Sequence, residues 1–393
     1  MSEVVVIGAG LAGLACALHL TRAGLDVALH EAGDAVGGRV RTDVVDGMLL
    51  DRGFQVHNTG YPEALRMLDH EALDIQPFTA GALVRWGDRL HPVGDPRRVP
   101  TWALSTTTAP IGSLLSKAAL GAVAVRAGLA PVDRLLAAPE TTTYAALRAR
   151  GISDTTIDRF LRPFLSGVFL EDRLDTSSRF LDLVLRSFVR GTQCVPAAGM
   201  GAMPTQLAAH LPAGVLRLSS PVTSLPPGPV VVATDPVTAG KLLPEVTVPA
   251  LQHVSTFYHL ADEPPTSEKA IVLDGERSGP VTNTVVLTNA APSYAPGAVL
   301  VSSSVVRGPA TEPEVRAHLS RLYGVATSRW QHVRTYDVPG ALPSMAPPHD
   351  FRQPVRVRDG VWVCGDHRDS ASIQGALVSG RRAATSVLRE LRP

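Results

Sequence analysis

Lysine is almost missing from this chain of 393 residues: Lys117, Lys241 and Lys269 are the only three, and arginine supplies the remaining basic charge. With its Ala-rich stretches, this reads as genome composition rather than function. Cysteine is equally scarce. Cys16, Cys194 and Cys364 lie far apart in apolar surroundings. They have no metal-ligand spacing, so no metal site is expected, and they read as small core residues in a reducing compartment. Charge of one sign is also lacking. A net charge of +1 gives no reason to expect nucleic acid or an electrostatic membrane tether. No apolar run reaches the roughly 18–20 residues of a membrane span. The chain enters its first apolar run at Val4, leaving no secretory signal in view, and a cytoplasmic protein is expected. What the length does allow is two domains with a large core.

The informative stretch is Val4 to Thr42, VVVIGAGLAGLACALHLTRAGLDVALHEAGDAVGGRVRT. Val4 to Ile7 reads as a buried parallel strand. Gly8, Gly10 and Gly13 follow in G-x-G-x-x-G spacing. They suit a tight turn, close backbone approach to a pyrophosphate, and close packing of the next helix. Leu11, Leu14, Ala15, Leu18 and Ala23 give that helix an apolar stripe. A second strand, Asp26 to His30, ends at Glu31, an acid placed to accept hydrogen bonds from a ribose diol. Strand, glycines, helix, strand and acid in this order predict a dinucleotide site.

Gly37-Gly38-Arg39, then Val40-Arg41-Thr42, resembles the extended fingerprint of the FAD-binding amine oxidases, protoporphyrinogen oxidases and phytoene desaturases. The segment Val361 to Ala384, VWVCGDHRDSASIQGALVSGRRAA, resembles the C-terminal FAD motif of the same superfamily. The resemblance implies FAD as cofactor. It places Gly8, Gly10, Leu11, Ala12 and Gly13 at the pyrophosphate, Glu31 and Ala32 at the ribose, and Gly38 and Arg39 at the phosphates. It places Gly53, Phe54 and Gln55 under the flavin ring and Val222 at the adenine. Gly365 and Asp366 would meet the ribityl or pyrophosphate end, and the Ile373 N–H, at the start of a helix near Ser372, would face the pyrimidine edge. A guanidinium fork and a helix N-terminus are both suited to phosphate.

The middle of the chain is legible in texture. Tyr61 to Asp74 predicts a helix, and Leu83 to Leu90 a hairpin turning at Gly87-Asp88. Ile111 to Ala138 is helical in period and apolar, the core or the lining of a substrate cavity, with contact to a membrane surface a further expectation. Thr143 reads as the cap of a helix to Arg150. Pro163 and Gly167 read as breaks in a helix over 158–170. Pro229 to Thr234 reads as another buried parallel strand. Segments between 251 and 306 predict an antiparallel sheet, followed by a helix over 312–323.

These elements predict an α/β fold: a Rossmann-type FAD-binding domain from 1–76, 195–246 and 355–393, and a discontinuous α+β substrate domain, antiparallel sheet plus helices, from 77–194 and 247–354. One nucleotide fingerprint argues against a second NAD(P)H site, so an external acceptor, oxygen or a quinone, is expected. The expected activity is flavin-dependent hydride transfer from a substrate carbon, oxidising or desaturating a C–C bond in a largely apolar small molecule. The alternatives are amine or amino-acid oxidation and a non-catalytic FAD-bound scaffold. Many amine oxidases carry a lysine that bridges water to the flavin, and no lysine here matches that role. His57, Arg52 and Tyr336 are the candidate catalytic residues.

Overall fold

The computed structural model describes residues 3–391. A six-stranded sheet runs in the order Leu216–Arg217, Val27–His30, Val4–Ile7, Val230–Val232, Val361–Val363, Arg356–Arg358. Its first five strands are parallel and the last is antiparallel. Val4 to Ile7 are buried, as are Val230 to Val232. That explains their unbroken apolar runs: both faces of a parallel sheet are covered. Helix α1 (Leu11–Arg22) packs directly behind the first strand. A Cβ at Gly13 would stand 1.8 Å from the Gly8 carbonyl oxygen, so only glycine permits this approach.

A seven-stranded sheet takes the order Gln331–Pro343, Leu251–Ala261, Val299–Val305, Val281–Val286, Ile271–Asp274, Gly81–Trp86, Arg89–Gly94. It is mixed rather than purely antiparallel, because Ile271–Asp274 lies parallel to Gly81–Trp86, with Val272 opposite Leu83. Two segments nearly 190 residues apart are adjacent here, and no hairpin signal could announce that pairing.

The helical part contains α2 (Ala103–Thr108), α3 (Leu114–Leu129), α4 (Arg162–Phe169) and α5 (Ser178–Arg190). Pro163 does not break the chain's course. It sits in the first turn of α4, where its missing N–H costs nothing, after a π-helical turn over Ile157–Leu161. The helix after Tyr61 is shorter than its pattern suggests, Pro62–Met67, because Leu68 is already extended. Thr142, not Thr143, caps the helix Thr143–Ala149, its hydroxyl accepting from the Ala145 N–H at 3.2 Å. The last helix, α6 (Ile373–Leu391), lies against α1.

Asp51, at the end of a two-stranded hairpin (Thr42–Val45 with Met48–Asp51), ties that hairpin to the seven-stranded sheet. It is buried, and its carboxylate accepts hydrogen bonds from the Thr42 hydroxyl at 2.5 Å, the Met200 N–H at 2.9 Å and the Tyr294 hydroxyl at 2.8 Å. The Tyr258 hydroxyl, from the large sheet, donates to its main-chain carbonyl at 2.9 Å. Among the described residues no helix is long and apolar enough to cross a membrane.

Candidate active site

A single cavity of about 1720 Å³ runs from the C-terminal ends of the parallel strands to the helices α3, α4 and α5. That starting point is where an open α/β sheet exposes helix N-termini and loops to a ligand. Gly8, Gly10, Leu11, Ala12, Glu31, Ala32, Gly38 and Arg39 line its first part, together with Val222, Gly365 and Asp366. Gly13 does not; it works by letting α1 approach. α1 has no side-chain cap at Gly10, so its first-turn N–H groups are free for an anion. A Cβ at Gly10 would meet nothing closer than the Gly37 carbonyl oxygen at 4.0 Å; the backbone there is open.

Glu31 is held rather than loose. Its carboxylate accepts from the Ala9 N–H and the Gly33 N–H, each at 2.8 Å. These two donors aim it, and its remaining lone pairs are available to hydroxyls. Arg39 and Asp366, 327 positions apart, meet: Nη2 of Arg39 donates to Oδ1 of Asp366 at 2.6 Å, and Nη1 donates to the Ala341 carbonyl at 3.0 Å. The Gln55 amide donates to the Arg39 carbonyl at 2.8 Å. Two of five guanidinium donors are thus committed and the rest remain. An uncapped helix start, an open glycine, an aimed carboxylate and a guanidinium suit a dinucleotide, and the site fits a flavin nucleotide. Gly53, Phe54, Gln55, Ser372 and Ile373 line the cavity beyond it.

The three catalytic candidates fare differently. His57 is fully buried and does not line the cavity, whereas its neighbours Val56 and Asn58 do. The strand His57–Asn58 pairs with Gln193–Pro196, and side chains alternate across a strand. The His57 ring therefore points to the far side, with Nε2 3.0 Å from Nε2 of His70. Burial, and then the neighbouring His70, push its pKa down to about 4. Tyr336 is also absent from the lining; its hydroxyl donates to Asp43 at 2.8 Å. Arg52 does line the cavity, but its guanidinium holds Asp43 with Nε at 3.1 Å and Nη2 at 2.8 Å. A guanidinium locked to a carboxylate, and a phenol whose pKa is raised by burial and by Asp43, are not proton acceptors near neutral pH. These two residues form a clasp on Asp43.

The residue that sequence reasoning missed is Asp369. It lines the cavity three positions after Asp366, in the turn between the strand Val361–Val363 and α6. Burial pushes its carboxyl up to about 6, opposed by the Ser370 N–H at 2.9 Å and by Arg382 at 3.2 Å. It is restrained, faces the cavity, and titrates near neutral pH, the properties a general base needs. A second acid in the loop just before a helix was the available signal.

Farther along, the wall is greasy: Leu120, Leu136, Phe160, Phe164, Leu183 and Val184 face the space. Lys117 is the only lysine on the lining, and its amine is spent on the Thr107 and Ala109 carbonyls at 2.6 and 2.7 Å.

Comparison with known proteins places the chain in a family. A hydroxysqualene dehydroxylase from Rhodopseudomonas palustris is 28% identical over 446 residues, covering 99% of each chain. A coproporphyrinogen III oxidase from Bacillus subtilis is 28% identical over 184 residues, 43% of this chain and 37% of that protein. The fold is shared with an oxidoreductase from Methanosarcina mazei, TM-score 0.75 at 16% identity, over 99% of this chain and 100% of that one. The model of the flavin containing amine oxidoreductases matches residues 11–241 and 229–388, so the chain belongs to that family and is a flavin-dependent oxidoreductase.

Proposed function

We propose that the flavin is FAD and that the protein moves hydride between it and a carbon of a long, largely apolar molecule, oxidising or desaturating a C–C bond. The observation that carries this reading is the continuity of one cavity from the nucleotide cradle to an aliphatic and aromatic wall, with no free lysine amine along it. FAD, when bound, supplies the hydride acceptor. The chain's own part is to bind, orient, keep dry and manage a proton. The start of α1, Glu31 and Arg39 hold the nucleotide. Phe54 and Phe78, edge to face at 6.2 Å, and Phe160 stacked on Phe164 at 5.9 Å exclude water from the middle of the cavity. Asp369 accepts the proton that must leave the substrate as hydride departs.

The relative matched end to end is named for hydroxysqualene, a long isoprenoid chain bearing a hydroxyl, and this supports a substrate of that length and polarity. Reoxidation falls to oxygen or a quinone. The alternative, amine oxidation, draws support from a putrescine oxidase of Kocuria rosea, 44% identical over 72 residues, 18% of this chain.

An anaerobic panel separates the two. Polyenes, hydroxylated isoprenoids and amines are mixed in turn with the holoenzyme while flavin absorbance is followed. Bleaching by an apolar isoprenoid is expected. Bleaching by amines alone overturns the proposal.

A further inference from the structure

We propose that α3 is a monotopic docking face that seats the cavity mouth on a bilayer containing anionic phospholipid. The inference rests on the apolar substrate class proposed above and adds the surface through which such a molecule would arrive.

One stripe of α3, Leu114, Ala118, Gly121 and Val125, both lines the cavity and is exposed. Spacings of four, three and four residues put these on one helical face, so the cavity opens along the helix. The neighbouring stripe looks outward. Leu115 is 84% exposed and Leu129 79%, and Leu104 on α2, which Lys117 ties to α3, is 76% exposed. Leucines spread this densely around a cavity mouth mark an interaction surface.

The charges beside them select its partner. Between Asp95 and Asp133 the chain has no acidic residue. Lys117 and Arg126 lie on α3, Arg186 and Arg190 reach its Gly128 carbonyl, and among the described residues none of the four forms a salt bridge with a carboxylate. Lys117 donates to the Thr107 carbonyl at 2.6 Å, Arg186 to Gly128 at 2.9 Å and Arg190 to Gly128 at 3.3 Å. Carbonyls orient these cations without cancelling them. An overall charge of +1 conceals this local excess. Apolar side chains ringed by uncancelled cations match the acyl and headgroup layers of an anionic membrane surface. α3 has 16 residues, about 24 Å at 1.5 Å each, so it lies in the interface rather than across it.

The test is co-sedimentation of FAD-loaded protein with vesicles of phosphatidylcholine alone or mixed with phosphatidylglycerol. Binding to the mixed vesicles is expected. It should weaken strongly between about 0.1 M and about 1 M salt, as the Debye length falls from about 10 Å to about 3 Å. The double variant Leu115→Ser/Leu129→Ser, whose side chains do not line the cavity, should lose binding by roughly tenfold or more. Arg126→Glu should lose it more on mixed vesicles than on neutral ones. Flavin absorbance and thermal melting certify that each variant is folded. If the double variant does not fold, Leu104→Ser and Arg126→Glu carry the test. No vesicle binding by the parent, or equal binding by folded variants, overturns the proposal. So does a parent dimer that becomes monomeric in the leucine variant without touching vesicles, since the face would then belong to a second copy. Vesicle binding needs no substrate, so its failure leaves the bleaching result standing, and the reverse also holds.

Discussion

The two ends of the cavity are built on opposite principles. At the cradle end the backbone makes the site. Gly13 stands where one methyl would strike the Gly8 carbonyl, Gly10 leaves the start of α1 open, and Glu31 is aimed by two N–H groups. At the wall end side chains make the site, and any apolar group of suitable volume serves. Phe160, Phe164, Leu183 and Val184 are interchangeable with other hydrophobes in a way that Gly13 is not. The cradle's shape is therefore fixed by backbone sterics, whereas the wall tolerates exchange of one hydrophobe for another.

The largest effect should come from breaking the cradle by one methyl. Gly13→Ala puts a Cβ 1.8 Å from the Gly8 carbonyl oxygen and forces strand and helix apart. A cost of about 3 kcal/mol is expected, the upper range for overpacking, with protein that purifies colourless and melts early. Leu183→Met, a similar-sized change on the wall, should purify as yellow as the parent. Equal flavin content in the two variants would erase the distinction.

Asp369→Asn comes next and sharpens the boundary between the ends. As a base, Asp369 works as carboxylate, so flavin reduction should rise with pH through about 6 and then level. The amide should lower the rate by roughly 10²–10⁴-fold and remove that limb. Stability should move the other way. The folded carboxyl titrates above its ordinary 3.8, so the folded state holds a proton that the unfolded chain gives up. Its contribution is full below 3.8 and is lost as pH rises through about 6. At neutral pH the buried charge is therefore a cost, and Asp369→Asn should melt no lower than the parent. A residue that only holds the fold would instead lose stability with its rate. His57→Gln, on the far side of its strand, should change the rate little at any pH where both are folded.

A smaller effect belongs to the charged partners of the cradle. Asp366→Ala strips Arg39 of its 2.6 Å partner, and Glu31→Ala strips two N–H groups of their acceptor. Each removes charge-assisted hydrogen bonds worth roughly 1.5–3 kcal/mol, so the bound flavin should dissociate about 10–100 times more readily. Dialysis followed by absorbance reads this directly. Retention equal to the parent in both variants would remove these residues from the cradle.

What was legible in the sequence divides along the same line. The cradle's geometry is local: the strand, three glycines, helix and second strand of its first part fall within 31 residues, and each residue type there has a backbone reason. The wall is tertiary. Whether Leu114 faces cavity or solvent depends on how α3 packs against α5, which its near-uniform hydrophobicity does not encode. That His57 faces away from the cavity is not legible in the sequence, because the face of a two-residue strand is set by its partner around Cys194. Asp369 was overlooked because the burial that raises its pKa exists only in the fold. The parallel pairing of 271–274 with 81–86 was hidden by separation, and Pro163 by a π-turn that the 3.6-residue period does not contain.

The smallest effect tests whether the wall end holds any amine chemistry. Lys117 is the one lysine on the lining, and both its hydrogen bonds go to carbonyls, Thr107 at the end of α2 and Ala109 just after it. Burial lowers its pKa, yet the amine is already pointed at acceptors, so it acts as a peg between α2 and α3. Lys117→Met keeps the length of the stem and removes the peg. A loss of about 1 kcal/mol in stability is expected from two hydrogen bonds, one exposed and one half-buried, visible as a small drop in melting temperature. Flavin reduction by the substrate that bleaches the parent should stay within about threefold, since a peg that never reaches the flavin offers nothing specific to the transition state. A large loss of rate with melting unchanged would put the amine next to the reacting atoms, and would favour C–N over C–C oxidation at this wall.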